Sequence, residues 1–176
     1  SLPVVDIVRK SGVSGSDYED YASNTPAADY FQALDFVRPD DRFDVPALYV
    51  DSWSDYGVAE TLMLFNQQRE LAVSARARDN QYVIIAPSTH CGFTRPPNPQ
   101  GGSGPPAGAR AMGDWQIDLD DLSVRWYRLW LDGEDDGISN MPRVQYYLMG
   151  ANEWRTADTW PVPGTSFEPF YLHSGG

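Results

Sequence analysis

One cysteine, two histidines and a shortage of basic residues limit what this 176-residue chain can be. Cys91 stands alone, which excludes an internal disulfide and leaves the redox compartment open. A free cysteine of this kind reads as a small buried filler. His90 and His173 form no His-x-x-x-His pair and no Cys-x-x-Cys occurs, so no metal is expected. Lys and Arg number 13 against 25 Asp and Glu, a formal charge of −12. Such a surface repels phosphate backbones and anionic headgroups, so neither nucleic acid nor a membrane is an expected partner. No apolar run approaches the roughly 20 residues that span a bilayer. No leader peptide is recognisable from Ser1 onward, which suits a trimmed chain as well as a mature one. Cytoplasmic, periplasmic and secreted locations therefore all stay open, as does homo-oligomerisation.

What is present is globular. Hydrophobic residues make up 41% of the chain and aromatic residues 13%, which rules out a disordered polar tract. A chain of this length buries roughly 70% of its unfolded surface, enough for a core. No internal repeat is visible. Residues 1–37 are mixed: Leu2 to Val8 is apolar, Ser11 to Asp20 is rich in Gly, Ser and Asp, and Tyr30 to Val37 suits a short helix. That stretch does not look self-sufficient.

From Arg38 the pattern sharpens. The run from Pro46 to Val50 follows a polar stretch and contains no alternation, which predicts a buried parallel strand. Ala59 to Arg78 predicts one uninterrupted helix, free of Gly and Pro, with Val58, Leu62 and Phe65 on one face. Tyr82 to Ala86 predicts a second buried strand closed by Pro87. Strand, helix and strand at this spacing make a right-handed βαβ crossover and an α/β fold with a mostly parallel sheet. Arg95 to Gly113 is dense in Pro and Gly and predicts a long surface loop, either shaping a pocket rim or a passive excursion. Leu119 to Leu131 predicts a helix with Leu119, Leu122, Trp126 and Leu129 or Trp130 on its apolar face. Asp120 and Asp121 suit its first turn, and Gly133 its C-terminal cap. After Asn140 the runs Arg143 to Met149 and Phe167 to Leu172 predict strands opening an all-β domain, separated by a turn-rich stretch from Gly150 to Gly164.

Two residues stand where α/β proteins keep their chemistry. Asp55 lies just past the carboxyl end of the first predicted strand and His90 just past that of the second. Active crevices of open α/β sheets form outside those strand ends. A carboxylate beside an imidazole fixes its tautomer and stabilises the cation formed when it takes a proton. In α/β-hydrolases the chain order is Ser, then Asp or Glu, then His, and this sequence offers the last two in that order. The nucleophile is missing: no Gly-x-Ser-x-Gly follows a predicted strand, and Gly12-x-Ser14-Gly15 has the wrong spacing. The plain alternative is that Asp55 and His90 are solvated loop residues. His173 reads as ordinary surface. Cys91 beside His90 is a weak candidate for a thiol nucleophile, because adjacent side chains often point apart. The run Glu134 to Gly137 lacks the alternating oxygens of a calcium loop and reads as a solvated turn.

Trp53-x-Asp55, the buried run ending in Ala86-Pro87-x-x-His90, and Gly150-x-Asn152-x-Trp154-Arg155 with Trp160-Pro161 together resemble the cocaine-esterase and X-Pro dipeptidyl-peptidase family of serine hydrolases. That family includes cephalosporin acylases and α-amino-acid ester hydrolases. The resemblance covers most of the chain and is strongest from about Asp29 to Leu172. It implies an α/β-hydrolase domain with an inserted helical cap and a C-terminal jelly roll. On that template residues 1–37 resemble the end of the cap and the return to the hydrolase domain. Residues 38–140 resemble the last βαβ units of the hydrolase sheet, and residues 141–176 the first strands of the jelly roll. Asp55 matches the triad aspartate and His90 the triad histidine. Tyr56, Gly57 and Val58 stand where the amino-acid ester hydrolases place acidic residues that hold a substrate ammonium, so that specificity is not reproduced.

The implied activity is cleavage of an ester, amide or peptide bond through an acyl-enzyme, without metal or organic cofactor. This chain would supply Asp55 and His90, and the rest of the hydrolase would supply the serine, in the same chain or another. Trp53 and Tyr56 flank Asp55 and suit either packing or substrate binding. The 176 residues alone are expected to be inactive and poorly soluble. The competing reading is a binding or structural subunit that keeps the scaffold without the chemistry. A carbohydrate-binding variant of it rests on Trp154 and Trp160.

Overall fold

The computed structural model describes residues 6–12, 17–25, 29–34, 38, 40–90, 92–94 and 113–172. The chain divides into two compact units, Ser1–Asp41 and Arg42–Gly176. The first contains three short helices, α1 (Asp6–Ser11), α2 (Tyr18–Ser23) and α3 (Asp29–Ala33). Phe31 there meets the edges of Tyr21 and Tyr30, with ring centroids 5.2 and 5.1 Å apart.

The second unit is built on a four-stranded sheet in the order β1-β2-β3-β4, formed by β1 (Ala47–Ser52), β2 (Gln81–Ala86), β3 (Val144–Leu148) and β4 (Glu153–Ala157). β1, β2 and β3 run parallel, and β4 returns antiparallel to β3. Alternation along β2 sends its side chains to two separate cores. Val83 and Ile85 join Val144 and the helix residues Leu62 and Phe65 on one face. On the other face Tyr82 packs with Trp126 and Ile138. Every residue of β2 is therefore buried, which explains why Tyr82 to Ala86 reads as an unbroken apolar run.

The helices follow their sequence signals with one correction. Instead of a single helix from 59 to 78 there are two, α4 (Val58–Glu70) and α5 (Ala75–Asp79). The backbone between them is captured elsewhere: the Val73 N–H donates to the Phe43 carbonyl at 2.9 Å, in a parallel bridge of Phe43 with Ala72. Ser74 then caps α5, its hydroxyl oxygen accepting from the Ala77 N–H at 3.1 Å. A β-branched residue followed by a Ser cap was the local signal for this break. The Leu119 helix runs as α6 (Leu119–Tyr127), capped by the Asp118 carboxylate, and widens into a π-helical turn over Arg128–Asp132. It ends at Gly133, whose φ of 76° suits the left-handed cap.

The strands predicted to open a separate β domain behave differently. β3 docks alongside β2 and extends the same parallel sheet. β4 forms inside the stretch predicted to be turns. Phe167 to Leu172 forms no strand, and Phe167, Phe170, Tyr171 and Leu172 are exposed. No jelly roll is formed by the described residues. His173, Cys91, Ser14 and residues 95–112 of the predicted loop lie outside them. No described helix is long and apolar enough to cross a membrane.

Candidate active site

The loops after β1 and β2 are tied to each other by continuing the strands' hydrogen bonding. The Trp53 N–H donates to the Ala86 carbonyl at 2.9 Å, and the Ser54 N–H to the Ser88 carbonyl at 3.1 Å. Two further anchors fix the first loop. The Trp53 indole N–H donates to the Tyr147 carbonyl of β3 at 2.7 Å. Buried Asp51 accepts the Ser52 N–H at 2.7 Å and the Thr61 hydroxyl at 2.5 Å, joining the end of β1 to the first turn of α4.

On this frame the structure brings Asp55 and His90 together. His90 Nδ1 lies 2.5 Å from Asp55 Oδ2, and Asp55 Oδ1 accepts the Gly57 N–H at 3.2 Å. The Asp55 side chain is 9% exposed and the His90 side chain 68%. The hydrogen bond from His90 is the main cause holding the Asp55 carboxyl below its ordinary range, with the Gly57 N–H adding to it. Asp55 thus stays ionised as a partner for the imidazole. With Nδ1 committed to the carboxylate, Nε2 is the nitrogen left to take a proton.

The turn carrying His90 is tight. Gly92 donates its N–H to the Thr89 carbonyl at 2.9 Å. A Cβ at Gly92 would lie 2.3 Å from the Oγ of fully buried Ser88. Only glycine allows this approach.

Trp53 and Tyr56 part company. Trp53 is packed against the α4-side core and tilted against Trp160 at 5.7 Å between ring centroids. It also lines a mostly apolar cavity of about 310 Å³ with Tyr146, Leu148, Met149 and Trp160. Tyr56 is 92% exposed and stacks on the His90 ring. Trp154 and Trp160 are both half-buried: Trp154 donates to the Asp114 carbonyl at 3.0 Å and packs on Tyr147, while Trp160 meets Trp53 and Tyr146. A larger cavity, about 500 Å³, lies between α6 and the β2–β3 strands, and neither Asp55 nor His90 lines it.

The acidic run is exposed, as a solvated turn is, and its carboxylates are hydrogen-bonded. Asp135 accepts the Gly137 N–H at 2.9 Å and the Ser139 N–H and hydroxyl, and Asp136 takes a two-pronged contact from Arg125 at 2.7 and 3.1 Å. Among the described residues no group of three or more His, Cys, Asp or Glu is placed to hold a metal ion. Asp51 and Thr61 escaped the sequence reading, although an acid ending a buried strand was a signal for the first.

The arrangement defines a mixed α/β protein with a paired aspartate and histidine at the carboxyl ends of neighbouring parallel strands. Comparison with known proteins sharpens this. The chain is partially homologous to the cocaine esterase of Rhodococcus sp., with 28% identity over 132 residues, 74% of this chain and 21% of that protein. It is 32% identical over 120 residues to the Mycobacterium bovis protein named "Putative serine esterase Mb1866c", covering 68% of this chain and 16% of that one. A Mycobacterium tuberculosis protein of matching description shows the same 32% over 120 residues. The chain thus spans about a fifth or less of the length of the curated relatives it matches. No protein-family model matches the sequence. Among solved structures, a CocE/NonD-family hydrolase of Staphylococcus aureus aligns with a TM-score of 0.48 at 15% identity, over 74% of this chain and 19% of that one. An aminopeptidase of a marine-sediment Thaumarchaeota archaeon aligns with a TM-score of 0.43 at 20% identity, over 70% and 19%.

Proposed function

We propose that this chain supplies the aspartate and histidine of a serine hydrolase that cleaves an ester or amide bond through an acyl-enzyme. Its sheet would be the last part of an α/β-hydrolase sheet, and the serine and its oxyanion-hole donors would come from outside these 176 residues. The observation that carries this reading is the 2.5 Å contact of His90 Nδ1 with Asp55 Oδ2 at adjoining strand ends. Homology to esterases several times longer than this chain supports it.

In this mechanism the serine hydroxyl loses its proton to His90 Nε2 as its oxygen attacks the carbonyl. His90 then gives that proton to the departing alcohol or amine. Water hydrolyses the acyl-enzyme by the same relay, and Asp55 stays ionised throughout, steadying the imidazolium. The ester or amide substrate is a small molecule or peptide.

The test is hydrolysis of a chromogenic acyl ester by the longer protein that carries this sequence, beside its His90→Ala variant. A loss of roughly 10³-fold or more in the variant is expected. Equal turnover in both would overturn the role of His90, and no turnover in either across several acyl and peptide substrates would favour the non-catalytic subunit.

A further inference from the structure

One hydrogen bond does not hold an imidazole still. The bond at Nδ1 sets where the ring points but leaves it free to rock about the line joining Nδ1 to the carboxylate. His90 is 68% exposed, so packing does not supply the second constraint. One ring does lie against it: the Tyr56 and His90 centroids are 6.2 Å apart, with their planes 23° from parallel. Every other aromatic pair recorded among the described residues is tilted by 43° or more. The distance falls in the range of offset stacking.

Burial does not explain this placement, because Tyr56 itself is 92% exposed. The Asp55 carboxylate does. Its Oδ2 meets the imidazole, while its Oδ1 accepts the Gly57 N–H at 3.2 Å and closes the turn whose middle residue is Tyr56. The same carboxylate thereby orients the histidine and the backbone of the residue that stacks on it.

We propose that Tyr56 is a positioning residue, the platform that keeps the His90 ring in the plane from which Nε2 meets the serine oxygen. This rests on reading His90 as the general base. It makes Tyr56 act through His90 and not through contact with substrate, and it requires the ring but not the hydroxyl.

In the longer hydrolase the His90 imidazole signals in proton and nitrogen magnetic resonance are identified as those lost in a His90→Gln variant. In the longer hydrolase the His90 ring protons are expected upfield, shielded by the Tyr56 ring, with a slowly exchanging Nδ1–H proton. Tyr56→Ala is expected to abolish the upfield shift and speed that proton's exchange, with an unchanged circular dichroism spectrum. Tyr56→Phe is expected to preserve both signals. In the longer hydrolase Tyr56→Ala is expected to lower kcat roughly tenfold with KM little changed, and Tyr56→Phe to restore it. Ring shifts identical in the parent and Tyr56→Ala, or a raised KM with kcat intact, would overturn the platform and leave the Asp55–His90 pair standing. An Nδ1–H signal that survives Asp55→Asn unaltered would undo that pair, and with it the proposed function.

Discussion

Asp51 and Asp55 stand at the end of one strand and act in different ways. Asp51 is buried and ties β1 to α4 through the Thr61 hydroxyl, so it sets where the next loop starts. Replacing Thr61 by Val keeps the shape and removes the donor, leaving a buried carboxylate oxygen without its partner. Such losses cost about 1–3 kcal/mol. The urea midpoint of Thr61→Val is expected to fall accordingly, with the slope unchanged. Asp55 instead meets His90, and its own stability contribution is secondary. In Asp55→Asn an amide replaces the carboxylate, and an amide can donate to Nδ1 and trap the wrong tautomer. Under the function proposed above, kcat of the longer protein is expected to drop by roughly 10⁴-fold at neutral pH. A kcat within a few-fold of the parent would contradict the triad role.

At the level of elements, α4 and the His90 turn bear the load of placing the site. Phe65 is fully buried against β2 and β3 residues and meets Tyr49 edge-on at 6.3 Å. Phe65→Ala removes that ring and is expected to cost about 3–5 kcal/mol in equilibrium unfolding. Burial also pushes the Tyr49 phenol above its ordinary range, in keeping with a dry core beneath α4. Gly92→Ala tests the turn: its Cβ would press on Ser88, and overpacking of this kind costs about 1–3 kcal/mol. That variant is also expected to shift the His90 imidazole signals. Unchanged signals would mean that the turn yields without moving the histidine.

For the whole molecule, acid is the natural stress. Three described carboxyls sit below their ordinary range in the folded chain: Asp55 through His90, Asp135 through the Ser139 hydroxyl, and Asp136 through Arg125. Between the lowered values and the unfolded value of about 4, the unfolded chain binds more protons than the folded one. Stability from these groups is therefore complete above about pH 4 and is lost as pH falls through the lowered values. Asp135 and Asp136 are exposed, so solvent and salt keep their contributions small. The net charge also vanishes near the sequence pI of about 4.3, which brings aggregation into the same window. Urea midpoints are expected to stay level from pH 7 to 5 and to fall below pH 4. A midpoint that rises on acidification would contradict this account.

Much of the site frame was legible in the sequence. The β1–α4–β2 order, the apolar faces of α4 and α6, the glycine cap at Gly133 and the strand-end positions of Asp55 and His90 all follow from residues close together in the chain. Period, caps and breakers are local properties, and they act whatever the rest of the molecule does. Partners of distant residues are another matter. The docking of β3 beside β2, the pairing of β4, the capture of Val73 by Phe43 and the unpaired state of Phe167 to Leu172 depend on which edges the folded chain leaves open. The same holds within the site. The sequence by itself determined that an aspartate and a histidine stand just past the ends of two strands. Only the tertiary structure decided that β1 and β2 are neighbours, that Asp55 Oδ2 meets His90 Nδ1, that Asp51 braces the loop beneath them and that the Tyr56 ring stacks beside the imidazole. Hydrogen bonds and ring contacts depend on distances of a few ångströms, and those are set by the packing of helix and sheet, not by spacing along the chain.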